Sequence, residues 1–296
     1  MNYRLSRIAA ICGGKFSGCD SEVRSVVTDS RSLSCELGCR PMFVAMRGAN
    51  HDSHDFIAGM QSRGVRAFLV ERGVEASSCT GECGFVQVDN AIEALQRLAA
   101  YHRAQFRGTV VGITGSNGKT VIKEWIAEEL PEGMKYYRSP KSYNSQLGVP
   151  LSVLMLEGDE ELAIFEAGIS KPGEMERLER IIRPDAVIFT SIGDAHQENF
   201  INLEQKCDEK MILARSASKI IYHSYYEPLG RMVAAHFADR RPVDAAAYPE
   251  VPESVIGNAA SRRNAQIVEA FCDAMHYPAP SFAAAPSVAM RLEVKE

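Results

Sequence analysis

The chain has 296 residues, 46% of them hydrophobic and 24% charged, which is enough for one large core or two ordinary domains. A net charge of -5 with no long Lys/Arg run leaves no electrostatic footprint for nucleic acid. No apolar stretch approaches the ~18–20 residues of a bilayer span and the N-terminus MNYRLSRIAAICGG has no signal-peptide core, so the chain reads as soluble and cytoplasmic.

In chain order, MFVAM (42–46), AFLVE (67–71) and FVQVD (85–89) read as strands, and FIAGMQSRG (56–64) as helical. AIEALQRLAAYHRAQF (91–106) carries apolar residues at helical spacing and ends before Gly108, a helix running into a domain boundary. From 109 the pattern changes: TVVGIT (109–114), ELAIFEAG (161–168), AVIFTSIG (186–193) and KIIYH (219–223) are apolar runs suited to a sheet covered on both faces. Helical segments between them predict parallel strands with crossover helices. PAPSFAAAPSVAM (278–290) reads as a loop. The fold class is therefore α/β, with a small N-terminal α/β domain over 1–107 and a central domain over 108–296 whose mainly parallel sheet is covered by helices.

Of the eight cysteines, Cys35/Cys39 and Cys79/Cys83 have a C-x3-C spacing. Structural zinc sites use tighter knuckles with Gly-rich turns, so ordinary reduced thiols are the expectation.

The central domain opens on TVVGITGSNGKTVIKEWIAEEL (109–130). A strand, then Gly115-Ser116-Asn117-Gly118-Lys119-Thr120, then a helix is the context of a phosphate-binding loop. Glycines let backbone amides converge on phosphate oxygens, and the helix N-terminus adds partial positive charge. Lys119 reaches the β/γ-phosphates in such a loop and the Thr120 hydroxyl ligates Mg²⁺. The strict G-x-x-x-x-G-K-[ST] pattern wants glycine where this chain has Ile113. Glu166 ends an apolar run at its C-terminal edge, where ligands collect in open α/β sheets, and a carboxylate opposite Thr120 suits Mg²⁺. The plain alternatives are a Gly-rich turn that only packs and a strand-end glutamate facing water.

T-G-x-N-G-K-T is the form used by the Mur ligases and the related folylpolyglutamate synthases. V-I-K-E-W after Thr120, Y-N-S-Q-L-G-V-P (143–150), F-E-A-G-I-S-K-P-G-E-M (165–175) and T-S-I-G-D-A-H-Q-E-N-F (190–200) resemble Mur ligase segments in the same order. In the first domain so do T-D-S-R (28–31) and M-F-V-A-M-R-G-A-N-H-D-S-H-D-F (42–56). The resemblance covers nearly the whole chain. It is closest to the D-alanyl-D-alanine-adding branch, in particular its Bacteroidetes form, which is fused to an alanine racemase.

That resemblance implies a P-loop ATPase-like central domain, an N-terminal domain for a UDP-linked substrate, and ATP and Mg²⁺ as cofactors. UDP-MurNAc-tripeptide and D-Ala-D-Ala are the implied substrates, joined through an acyl phosphate. It implies nucleotide contacts from Gly115, Ser116, Asn117, Gly118, Lys119 and Thr120, from Asn264 near the adenine and from Arg291 near the phosphates. The usual H-N-x-x-N run is here A-S-R-R-N (260–264). Thr120, Glu166, His196 and Lys210 are the implied metal set, with Lys119, His196 and Lys210 catalytic. Lys210 stands at the family's offset from His196 for a lysine that reacts with CO₂ to give a metal-holding carbamate. A capping or loop histidine and a surface-helix lysine are the competing readings of those two, and Lys206 is the nearest alternative to Lys210. Asn144 and Ser145 would face the muramoyl moiety or the γ-phosphate. Ser30, Arg31, Arg47, Gly48, Asp52 and His54 would line the UDP-substrate site, with Ser53 in place of the expected glycine. The chain stops at R-L-E-V-K-E, where the family passes into a third domain that receives the amine. The expectation is a fragment with little turnover of its own. Two other readings stay open: another Mur step or a folylpolyglutamate synthase-like ligase, and a nucleotide-binding module without ligation.

Overall fold

The computed structural model describes residues 1–32, 40–48, 52–71, 82–193 and 197–283. It divides into two compact units, Met1–Phe106 with Pro150–Glu157, and Arg107–Val149 with Gly158–Glu296. The segment 150–157, which the sequence reading counts with the second domain, groups with the first. There the carbonyls of Leu154 and Leu156 accept from the Met1 ammonium at 3.4 Å and pair with His102 Nε2 at 3.0 Å.

The first unit runs β1 (Tyr3–Arg4), α1 (Leu5–Cys12), β2 (Lys15–Gly18), β3 (Glu22–Val23), β4 (Ser25–Val27), β5 (Pro41–Val44), α2 (Ile57–Ser62), β6 (Ala67–Val70), β7 (Gly84–Gln87) and α3 (Ala91–Arg103). Its five-stranded sheet has the order β2-β7-β6-β5-β4, with β2 antiparallel to β7 and every other pair parallel. Every residue of β5 and β6 is buried, as continuous apolar runs in a two-face-covered sheet require. Phe43, Phe68 and Phe85 fill the core, with ring centroids 6.4 Å and 5.3 Å apart along the series. Helix α1 buries Leu5, Ile8, Ala9 and Cys12 on one face and stops at Gly13, whose φ of 72° supplies the left-handed cap.

The second unit runs β8 (Thr109–Thr114), α4 (Lys119–Glu128), β9 (Tyr136–Arg138), α5 (Gly148–Val153, which carries the chain into the 150–157 excursion), β10 (Leu162–Ala167), α6 (Glu174–Ile182), β11 (Ala186–Phe189), α7 (Leu203–Met211), β12 (Lys219–Tyr222), α8 (Leu229–His236), β13 (Val243–Asp244) and α9 (Ala259–Ala274). The six-stranded sheet is wholly parallel, in the order β13-β12-β11-β8-β10-β9. Helices α4 and α9 cover one face, packing Ile122, Trp125, Ile126, Ile267, Val268 and Phe271 on Val111, Ile113, Ile164 and Ile188. On the other face Gly112 leaves room for Leu213, which a Cβ there would meet at 3.2 Å. The chain leaves β8 toward β10 and β9 and then returns past it to β11, so the strand order reverses around β8. The C-terminal end of β8 is therefore the place where an open parallel sheet presents a ligand crevice. Among the described residues no helix is long and apolar enough to cross a membrane.

Cys35, Cys39 and Cys79 lie outside the described residues. Cys83 is buried, its thiol 4.0 Å from the Val65 carbonyl.

Candidate functional site

The turn after β8 is held open from one side by the segment after β11. Ser116 N–H donates to Ser191 O at 2.6 Å, the Thr190 hydroxyl to Asn117 O at 2.6 Å, and the Ser116 hydroxyl to Gly193 O at 3.2 Å. This close approach explains Gly115. Its φ is 151°, and a Cβ there would fall 1.8 Å from Thr190 Oγ1. Gly118 starts α4 at φ 86°, with Asn264 Oδ1 3.0 Å from where its Cβ would stand, so α9 brings Asn264 directly against the loop. No carboxylate caps the first turn of α4, which leaves its helix-dipole charge for a ligand.

Three lysines gather around this turn. Lys119 Nζ donates to Gly115 O at 2.8 Å and Ser116 O at 3.0 Å. Lys210 Nζ donates to Gly115 O at 3.1 Å. Lys206, one turn earlier on α7, donates to Gly193 O at 2.6 Å. Lys206 and Lys210 are both buried, so the surface-helix reading of Lys210 does not hold. Burial pushes Lys210 down to about 7 from an ordinary 10.5, and the neighbouring Lys119 and Lys206 charges push the same way. Lys119 is also lowered by burial, an effect that Glu166 opposes. A lysine neutral near pH 7 has the free amine that carbamate formation demands.

Glu166 is fully buried at the end of β10, not turned to water. Its Oε2 accepts from the Thr120 hydroxyl at 3.1 Å, and its Oε1 lies 2.8 Å from Lys123 Nζ. Lys123, equally buried, also donates to the carbonyls of Ser139 at 2.7 Å and Lys141 at 2.6 Å. Lys123 lies within V-I-K-E-W, a segment whose sequence assigns it no role. The signal was present, because Lys123 falls in the buried stripe of α4 with Ile122, Ile126 and Ala127, where an ammonium needs a partner. Among the described residues no three His, Cys, Asp or Glu side chains gather as a metal-binding group. The hard oxygens of Thr120 and Glu166 fit Mg²⁺, which keeps several waters and takes one or two carboxylates together with substrate phosphates.

Asn144 stands beside this end of the sheet. Its carbonyl accepts from Gly168 N–H at 2.8 Å, and its side chain is 3.1 Å from where a Gly168 Cβ would be. Ser145 lies just before α5, its hydroxyl accepting from Gly148 N–H at 3.0 Å. His196 and Arg291 lie outside the described residues.

In the first unit, Asp52 and His54 form a fastened pair. His54 Nδ1 lies 2.5 Å from Asp52 Oδ1, and His54 Nε2 accepts from Glu71 N–H at 3.0 Å. Both ring nitrogens are thus engaged within the protein, which makes His54 a positioning residue for the loop. Glu71, which closes the AFLVE run and carries no site role in the sequence, accepts from the backbone N–H groups of Arg47 at 3.0 Å and Ala91 at 2.7 Å. Arg47 is 3.5 Å from Asp52 and exposed, as is Gly48. Arg31 is exposed and pairs with Asp29 at 2.9 Å, and the Ser30 carbonyl accepts from Arg63 at 2.5 Å.

Residues 113–239 match the Mur ligase middle domain. The chain carries a Mur ligase middle domain. It is 31% identical over 189 residues to the UDP-N-acetylmuramoyl-tripeptide--D-alanyl-D-alanine ligase of Bacillus subtilis, covering 64% of this chain and 40% of that one. The Escherichia coli ligase of the same name is 32% identical over 203 residues, covering 69% and 43%. The chain thus spans about two-fifths of the length of these curated relatives. Among solved structures, MurF from Acinetobacter baumannii superposes with a TM-score of 0.80 at 21% identity, covering 96% of this chain and 68% of that one. The Thermotoga maritima MurF ligase, solved in complex with ADP, gives 0.73 at 22% identity, covering 87% and 64%. The likeness to both is one of fold: a Mur ligase first domain followed by the central one.

Proposed function

We propose that this chain is the UDP-precursor- and nucleotide-binding portion of an ATP-dependent ligase that adds D-Ala-D-Ala to UDP-MurNAc-tripeptide. The observation that carries the reading is the convergence of Lys119 and Lys210 on the Gly115–Thr120 turn, opposite the fixed Thr120–Glu166 oxygen pair. In the proposed reaction a tripeptide carboxylate oxygen attacks the γ-phosphorus and ADP leaves. The dipeptide amine then attacks the acyl carbon, phosphate leaves with the acyl–oxygen electron pair, and the amine gives up a proton.

The backbone of Gly115–Thr120 and the Lys119 ammonium bind and orient the phosphates as charge moves onto them. Asn264 borders the nucleotide end, and Asn144 lies toward the acyl end. Thr120 and Glu166 would hold Mg²⁺, which supplies charge neutralisation at the transferring phosphoryl group. The neutral Lys210 amine forms an N–C bond with CO₂ and loses a proton, giving an anion for a second cation. His196 joins it there, and Arg291 joins the phosphates, both on the sequence resemblance alone. Ser30, Arg31, Arg47, Gly48 and Asp52 are assigned to the UDP-linked substrate, with His54 holding Asp52. ATP and a UDP-linked precursor are cytoplasmic metabolites, so we assign the reaction to the cytoplasm.

Thermal-shift titration tests the reading. UDP-MurNAc-tripeptide and an ATP analogue with Mg²⁺ should each raise the Tm of the chain, and a folate should not. A shift with folate alone would move the assignment to folate polyglutamylation. A shift with nucleotide alone would favour a non-ligating module. The likeness to a racemase-fused form extends the proposal to a polypeptide that also makes D-alanine, and the reading frame beyond Glu296 checks this.

A further inference from the structure

The oxygen pair of Thr120 and Glu166 suits Mg²⁺, yet Glu166 does not present a free negative charge. Its Oε1 lies 2.8 Å from the Lys123 ammonium, and both groups are fully buried. Lys123 cannot retreat before an arriving cation, because the Ser139 and Lys141 carbonyls hold it from the other side. A second carboxylate, Glu124, lies 3.5 Å from Lys123 but is shared with Arg138 at 3.1 Å. On the near side stands Lys119, close enough to Glu166 to feel its field. Among these described groups, three cations (Lys119, Lys123, Arg138) face two carboxylates (Glu124, Glu166) before Lys210 is counted.

A bare dication approaching this place therefore meets a cancelled carboxylate and a surplus ammonium. A nucleotide polyphosphate reverses the sign of the field, because it brings several negative charges to the same turn. We infer that the site refuses a free divalent cation and admits it only with the nucleotide, and that Lys123 enforces this order by neutralising Glu166. The inference rests on the reading of Gly115–Thr120 as a nucleotide site.

Mn²⁺, a paramagnetic stand-in for Mg²⁺, provides the test by electron paramagnetic resonance on the intact chain in bicarbonate-free buffer. Without nucleotide the parent should leave Mn²⁺ free into the millimolar range, and with ADP it should bind the ion. Lys123→Met should bind Mn²⁺ without nucleotide, at least about tenfold tighter than the parent does. Should Lys123→Met fail to fold, Lys123→Gln drops the charge while keeping a polar end in the same buried place. A lysine with a structural role alone would lower the Tm of the variant without creating any Mn²⁺ affinity. The inference alone is overturned if the nucleotide-free parent binds Mn²⁺ as tightly as the ADP complex does. It is equally overturned if the folded variants gain less than about twofold. A parent that binds no nucleotide under any condition overturns this inference and the proposed function together.

Discussion

The side-chain nitrogens of Lys119 and Lys210, from α4 and α7, donate to the same acceptor, the Gly115 carbonyl, at 2.8 Å and 3.1 Å. When both are protonated, two like charges share one oxygen largely out of water, and they oppose folding unless an anion accompanies them. Polyphosphate is such an anion, and the turn that carries the shared carbonyl is also the start of a helix. Binding at this place thus offsets an electrostatic cost that folding alone leaves standing.

That cost sets a pH dependence. Lys210 titrates at about 7 in the folded chain against an ordinary 10.5. Below about 7 both folded and unfolded states hold the proton, and the penalty is present in full. Between about 7 and 10.5 the unfolded state binds more protons, so stability rises with pH across that window. Urea midpoints at about pH 6 and about pH 9 should therefore converge between the parent and Lys210→Met, the parent gaining relative to the variant as pH rises. An unchanged gap would mean that Lys210 titrates normally.

The Lys123–Glu166 pair predicts a coupled response. Removing one partner of a buried ion pair strands the other charge, so Lys123→Met or Glu166→Leu alone should each cost about 3–5 kcal/mol. The double variant should be less destabilised than the sum of the two by about 1–3 kcal/mol, because neither charge remains. Denaturant unfolding of all four proteins measures the coupling, and additive losses would deny the pair.

Two glycines predict opposite outcomes for the same substitution. Gly115→Ala places a Cβ on Thr190 Oγ1 at a left-handed φ and should cost about 3 kcal/mol or more, together with nucleotide binding. Gly59→Ala lies inside α2 with nothing within 4 Å of the new carbon and should stabilise by about 0.5–1 kcal/mol. Thermal unfolding separates the two directions.

Much of the site was legible in the sequence because its parts are local. The strand, the glycine turn and the helix from Thr109 to Glu128 follow one another in the chain, and the apolar runs at 161–168, 186–193 and 219–223 gave the parallel sheet its strands. Glu166 was legible from its place at the end of one run. Lys123 was not, because its partner comes from another strand and nothing local says that a helical lysine turns inward. Lys206 enters the sequence only as the neighbour of Lys210, and its contact with Gly193 shows only once α7 is in place. The excursion 150–157 was hidden for a related reason. Its Leu154 and Leu156 are as apolar as any core residue, and only distant partners such as Met1 and His102 decide which unit they join. His54, expected along the UDP-substrate site, has both ring nitrogens engaged by Asp52 and Glu71, partners that no local pattern announces.

The most direct test is calorimetric titration of an ATP analogue with Mg²⁺ into the parent and into Lys119→Ala. The account predicts binding to the parent and a loss of about two orders of magnitude in the variant, whose turn would lack the ammonium that meets the phosphates. Equal affinity in the two proteins would show that the nucleotide is held somewhere other than Gly115–Thr120.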